Sequence, residues 1–111
     1  MGKQSRNKGK RGERAAKNLL TGRDWTILAD TTAGLSTDDL VCQSPDGRVV
    51  SVEVKNTKMI NIPAFVSQAR TNAKKNAWLL LAKISQTSSW LVMGKGRKPV
   101  IWHEQSNEVM E

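Results

Sequence analysis

An α/β fold with a mixed central β-sheet is what this sequence predicts, and three observations predict it. A β-branched run, Val49 to Val54, follows the turn signal Ser44-Pro45-Asp46-Gly47 and a preceding strand candidate, so a β-hairpin stands mid-chain. The stretch Ala77 to Ile84 (AWLLLAKI) is apolar almost without interruption, as in a central strand covered on both faces. Between the two lies a segment with helical spacing, the crossover that a parallel strand pair requires.

The elements follow in order. Met1 to Lys10 is rich in Gly, Lys, Asn and Gln without apolar periodicity and reads as a flexible basic arm, with residues 11–111 forming one domain. Lys3, Arg6, Lys8, Lys10, Arg11, Arg14 and Lys17 make this end basic, either as phosphate contacts or as a solubility tail. A first helix runs from Gly9 or Arg11 to Leu20, with Ala15, Ala16, Leu19 and Leu20 as its apolar stripe and Gly22 as its cap. Glu13 lies on the buried side of that helix near its start; it complements the helix dipole, or it is a carboxylate aimed at a site. Asp24 to Ala29 reads as a first strand with Trp25, Ile27 and Ala29 on one face. Asp30 to Ser36 is a polar loop, either a plain connection or the border of a substrate phosphate.

The hairpin carries the chemistry. Pro45 and Asp46 suit the centre of a type I turn and Gly47 the left-handed residue after it, which closes a loop with Ser44 opposite Arg48. Counting back along both strands places Asp39 opposite Glu53, and opposed residues share a face. Lys55, two residues on, shares that face too. Two adjacent carboxylates repel unless a cation neutralises them, and Mg²⁺ binds through one or two carboxylates while keeping several waters. The other reading is a solvated polar face with an ordinary cross-strand ion pair.

Asn56 to Asn61 is a loop carrying Lys58. Pro63 opens the second helix, which runs to about Lys75, with Phe65, Val66, Ala69 and Ala73 inward and Arg70 outward. Gln68 sits near the inward side as a boundary residue or a ligand to a phosphate or water. Ser89 to Met93 and Val100 to His103 are further strands, joined by the basic turn Gly94-Lys95-Gly96-Arg97-Lys98. The order is α-β-β-β-α-β-β-β. Trp25, Trp78, Trp90 and Trp102 read as core or interface anchors, with stacking on a base as the alternative. His103 reads as structural, a general base being the alternative.

Composition bounds the function. A chain of 111 residues makes one domain with a modest core. Its net charge of +8 favours polyanionic partners, nucleic acid before an anionic membrane surface. One cysteine, Cys42, and one histidine exclude an intrachain disulfide and a Cys- or His-based metal cluster. No apolar run spans a bilayer and no secretory pattern is present, so the expected location is cytoplasmic, the host cytoplasm for a viral protein.

Lys10-Arg11-Gly12-Glu13-Arg14, then Asp38-Asp39-Leu40-Val41, then Val52-Glu53-Val54-Lys55 resembles, in that order and strand context, the PD-(D/E)XK nuclease superfamily. Within it the chain is most similar to archaeal-type and viral Holliday junction resolvases, over roughly residues 8 to 84. Thr37-Asp38 stands where the family commonly has a proline before the aspartate. The resemblance implies a restriction-endonuclease-like fold with an α-β-β-β-α-β core. It implies a hydrolase that is a Mg²⁺-dependent, structure-selective endodeoxyribonuclease (Mn²⁺ being a possible substitute), cutting four-way DNA junctions in recombination and repair and leaving a 5′-phosphate. It also implies a homodimer with two active sites. By position, Glu13, Asp39 and Glu53 would be metal-binding catalytic carboxylates and Lys55 the catalytic lysine. Ser36, Thr31 or Thr32 would match a substrate-loop hydroxyl, and Gln68 a helix position functional in some branches. Lys8, Lys10, Arg11, Arg14, Ser36, Lys58, Gln68, Lys95, Arg97 and Lys98 are the expected DNA-binding residues. The competing expectations are a nicking or flap-type nuclease of the same fold, and a non-catalytic basic DNA-binding protein.

Overall fold

The structure is a computed structural model that describes residues 2–30, 40–73 and 77–104, with the backbone alone for 2–10 and 30. The expected element order is present: α1 (Gly2–Thr21), β1 (Thr26–Asp30), β2 (Leu40–Gln43), β3 (Val49–Lys55), α2 (Ile62–Ala73), β4 (Ala77–Lys83), β5 (Ser89–Gly94) and β6 (Val100–His103). The strands form one six-stranded mixed sheet in chain order, β1-β2-β3-β4-β5-β6. Among the described strands only β3 and β4 run parallel, and α2 is their crossover.

The hairpin register is the one the turn chemistry dictates. Leu40 pairs with Val52, Val41 with Ser51, Cys42 with Val50 and Gln43 with Val49. Gly47 takes φ +90°, and its N–H donates to the Ser44 carbonyl at 2.9 Å while the Ser44 N–H donates to the Arg48 carbonyl at 2.8 Å. The Ser44 hydroxyl donates to the Asp46 carboxylate, which holds that carboxyl below its ordinary value.

Alternation along the central strands separates two layers. Leu40, Cys42, Val50, Val52, Leu79, Leu81, Trp90 and Val92 point to one face and pack under Ala16, Leu19 and Leu20 of α1, the apolar stripe expected there. Ser51, Glu53, Leu80 and Ala82 point to the other, where α2 covers them with Ala69 and Ala73. Strand β4 is therefore buried on both faces, as its continuous apolarity predicts. Cys42 sits wholly inside the first layer, and burial pushes its thiol up to about 11, so it stays neutral and inert.

Three expectations are corrected. Helix α1 starts at Gly2, ahead of the expected start at Gly9 or Arg11; Lys, Gln and Arg favour helix, and no proline interrupts the segment. Its left-handed C-terminal residue is Asp24 (φ 69°), not Gly22. The Trp25 N–H donates to Leu20 O at 3.0 Å and the Asp24 N–H to Thr21 O at 3.2 Å, the Schellman pattern, with buried Trp25 meeting buried Leu20. Strand β1 carries an irregularity between Ile27, opposite Cys42, and Ala29, opposite Val41. The extra residue, Leu28, moves Ala29 off the face it would share with Ile27.

Trp25, Trp90 and Trp102 anchor the first layer; Trp25 and Trp102 meet edge to face at 6.4 Å, with the Arg23 guanidinium 4.5 Å over Trp102. Trp78 is half-buried and outside that core. The Ser89 hydroxyl lies 2.8 Å from Nδ1 of exposed His103, which agrees with a structural histidine. Among the described residues no helix is long and apolar enough to cross a membrane.

Wholly buried Trp90 needs an acceptor for its indole N–H, and Glu104 provides it. Oε2 of Glu104 receives Trp90 Nε1 at 2.8 Å and Lys83 Nζ at 2.6 Å. Burial alone would raise the Glu104 carboxyl, but those two donors and the Lys83 charge outweigh it and hold the carboxyl below its ordinary value. A depressed carboxyl stabilises the fold above the unfolded value near pH ~4.3, and that contribution is lost as pH falls through the folded value. Glu104→Ala should therefore cost about 1–3 kcal/mol at neutral pH by urea denaturation, Glu104→Gln less because an acceptor remains. The gap between wild type and Glu104→Gln should shrink on acidification below about pH 4; a gap that widens on acidification would contradict this.

Candidate active site

Strand β3 and helix α2 build the site between them. Glu53 and Lys55 project from the same face of β3, and the Lys55 Nζ stands 3.2 Å from Glu53 Oε2. The Glu53 residue is only 3% exposed, whereas the Lys55 side chain keeps 21%. Helix α2 lies antiparallel to β3 across this face. Four helix residues rise about 6 Å and two strand residues about 6.6 Å, so Gln68 and Asn72 fall in step with Lys55 and Glu53. Asn72 Nδ2 donates to Glu53 Oε1 at 2.9 Å. Lys55 Nζ donates to Gln68 Oε1 at 2.8 Å and lies 5.4 Å from the centre of the Phe65 ring. The carboxylate thus has a neutral donor on one oxygen and a cation on the other, and the cation is held by an amide and an aromatic face.

Helix α1 reaches the same end of β3 from the opposite layer. A methyl group on Gly12 would sit 2.6 Å from the Asn56 Cβ, one residue past Lys55. Gly12 therefore lets α1 close on the strand end, and Glu13 follows it directly. The Glu13 carboxylate pairs with Lys17 at 3.4 Å, an i,i+4 pair on its own helix. Among the described residues its ion pair is with Lys17, whereas Glu53 pairs with Lys55. Among the described residues no group of three His, Cys, Asp or Glu side chains forms a metal cluster. Asp39 and Ser36 lie outside the described residues, as do the side chains of Lys8 and Lys10. The register on which the pairing of position 39 with Glu53 rests is present as far as Leu40↔Val52.

The other expected contact residues divide. Arg11 and Arg14 on α1 and Lys58 in the β3–α2 loop are exposed. Gln68 is exposed as well, but its Oε1 accepts from Lys55. Lys95, Arg97 and Lys98 are exposed at the other end of the sheet. Val50 pairs with Ala77 and Lys55 with Ala82, and the Lys95 N–H donates to the Trp78 carbonyl, so that turn sits at the start of β4. Five strand residues, about 16 Å, separate the level of Lys55 from it.

The sequence expectation for the site lacked Asn72 and Asn56, and gave Phe65 only as a residue packing inward. The signal for Asn72 was its position one helical turn after Gln68, matched to the two-residue step from Lys55 back to Glu53. Asn56 was legible only as the partner Gly12 needs, which no single-segment pattern reveals.

Comparison with known protein families, curated proteins and solved structures finds no match to this chain.

The close approach at Gly12 generates a test with an inverted sign. In an ordinary helix interior Gly→Ala stabilises by roughly 1 kcal/mol. Here Gly12→Ala should destabilise by about 1–3 kcal/mol, because the added methyl group meets Asn56. Thermal melts of Gly12→Ala and Gly12→Ala/Asn56→Gly decide the point: the second change should recover part of the loss, and a stabilised single variant would refute the packing.

Proposed function

We propose that the protein is a divalent-metal-dependent endodeoxyribonuclease of restriction-endonuclease-like fold that acts on branched DNA. The observation that carries the reading is the Glu53–Lys55 pair, 3.2 Å apart on one face of a central strand and fixed there by two amides of α2. The β2–β3 register, the α1 approach at Gly12 and the exposed cations Arg11, Arg14 and Lys58 support it. So does the net charge of +8.

The donor chemistry fits a hard ion. Carboxylate oxygens suit Mg²⁺ or Mn²⁺ rather than a thiophilic metal, and Glu53 with Asp39 and Glu13 would hold it. Such an ion, when bound, lowers the pKa of a water and offsets charge on the phosphate oxygens. This chain's own residues do the positioning. Asn72 fixes the Glu53 carboxylate in one orientation. Gln68 and Phe65 hold the Lys55 ammonium, which would orient the attacking water and face the negative charge on the phosphoryl oxygens in the transition state. Attack breaks the P–O3′ bond and leaves a 5′-phosphate and a 3′-hydroxyl. Arg11, Arg14 and Lys58 contact backbone phosphates, which supplies affinity without sequence reading. The four-way junction is the substrate the resemblance implies, and two copies of the chain would cut its opposed strands.

One observation favours a second reading. Lys55 already neutralises Glu53, so the pair is complete without an ion, as in a basic DNA-binding protein with no chemistry. Cleavage of labelled four-way junction, flap, nicked and linear duplex DNA in Mg²⁺ or EDTA separates the readings. Wild type should cut branched substrates in Mg²⁺ alone. Glu53→Gln and Lys55→Ala should each cut about 100-fold more slowly or worse, with junction binding in EDTA changed less than about threefold because phosphate contacts dominate it. Flap cutting that matches junction cutting would select the flap-type nuclease. Binding with no metal-dependent product on any substrate would leave the DNA-binding reading.

A further inference from the structure

We propose that the groove on the other side of α2 binds an unpaired stretch of single-stranded DNA. The groove has a volume of about 790 Å³, in the range of sites that enclose small organic ligands. Val66, Arg70 and Thr71 of α2 form one wall; Trp78 of β4 and Gly94 and Lys95 at the end of β5 form the other. Among the described residues no acidic side chain lines it, and neither Arg70 nor Lys95 has a carboxylate partner. Trp78 is the half-buried tryptophan that the apolar core leaves out.

These groups match one ligand chemistry. An aromatic face stacks on any base, and flanking cations hold the phosphates on either side of it. In a duplex each base face is covered by its neighbours, so Trp78 can stack only on an unpaired base. Gly94 and Gly96 bring no side chain to the second wall, which is low there. The groove runs from the start of α2, beside the loop that follows Lys55, to the Lys95 turn at the far end of the sheet. It accounts for exposed cations that the Glu53–Lys55 site leaves unused. The inference rests on the nucleic-acid part of the proposed function and not on metal chemistry. It narrows the substrate class to DNA in which an unpaired segment adjoins a duplex.

The test is binding in EDTA, so a failure of catalysis leaves it intact. Fluorescence anisotropy would follow labelled oligo-dT and a blunt-ended, fully paired two-strand duplex over a salt series. Trp78→Ala should weaken oligo-dT binding by about tenfold or more and duplex binding by less than about twofold, with Trp78→Phe retaining most of the affinity. Arg70→Gln/Lys95→Gln should lower the slope of log K against log salt for oligo-dT by about 1.4. Thr71 is exposed, so Thr71→Glu should fold normally and still weaken oligo-dT by placing a negative charge in the groove. Oligo-dT affinity unchanged in Thr71→Glu and in the double charge variant, or equal loss of duplex and single-strand binding in the Trp78 variants, would overturn the assignment.

Discussion

A nearly buried carboxylate at the middle of the sheet is the constraint to which the surrounding structure answers. Glu53 is 3% exposed, and a charge taken that far from water costs several kcal/mol unless it is paired and hydrogen-bonded. Lys55 supplies the charge and Asn72 the hydrogen bond. The Asn72–Glu53 and Lys55–Gln68 bonds lock α2 to β3 at one axial setting, because the helix step from Gln68 to Asn72 must match the strand step from Lys55 back to Glu53. The crossover, the parallel β3–β4 pair and the small residues Ala69 and Ala73 under the helix follow from that setting. Two apolar residues would be at least as stable in such a place. Stability alone therefore gives no reason for this pair, and the proposed chemistry does.

Helix α2 then divides one sheet face into two environments. Its Phe65, Gln68 and Asn72 side serves Glu53 and Lys55, while its Val66 and Arg70 side borders the groove with Trp78. The opposite sheet face is the apolar layer under α1, closed by Trp25, Trp90 and Trp102. The proposed sites thus lie on the α2 side and at the strand ends. The β5–β6 turn and the β3–α2 loop lie at opposite ends of the sheet, and each carries exposed cations.

Local chemistry decided what the sequence could reveal. The hairpin register was legible because Pro45, Asp46 and Gly47 each suit one backbone conformation, and a two-residue alternation propagates from them. The buried strand β4 and the α2 crossover were legible because continuous apolarity flanked by a helical segment has few other solutions. Where two local solutions were similar in energy, reading failed. Asp24 tolerates the left-handed conformation well enough to displace Gly22 as the helix terminator. Leu28 became an extra residue in β1 without any glycine to mark it. Asn72 and the groove depend on how a helix sits against a sheet, and segment patterns carry no such information. Of the candidate site, Glu53 and Lys55 stand together as expected, Glu13 arrives at the same strand end from the other layer, and Asp39 lies outside the described residues.

The account stands on the claim that the Glu53 carboxylate is a ligand for a divalent ion rather than a closed ion pair. Paramagnetic broadening of backbone amide signals during a Mn²⁺ titration addresses that claim without any DNA present. The account predicts broadening centred on residues 53–56 and 12–14, saturable, displaced by excess Mg²⁺ and absent in Glu53→Gln. Broadening that ignores this strand end, or that survives unchanged in Glu53→Gln, would contradict it.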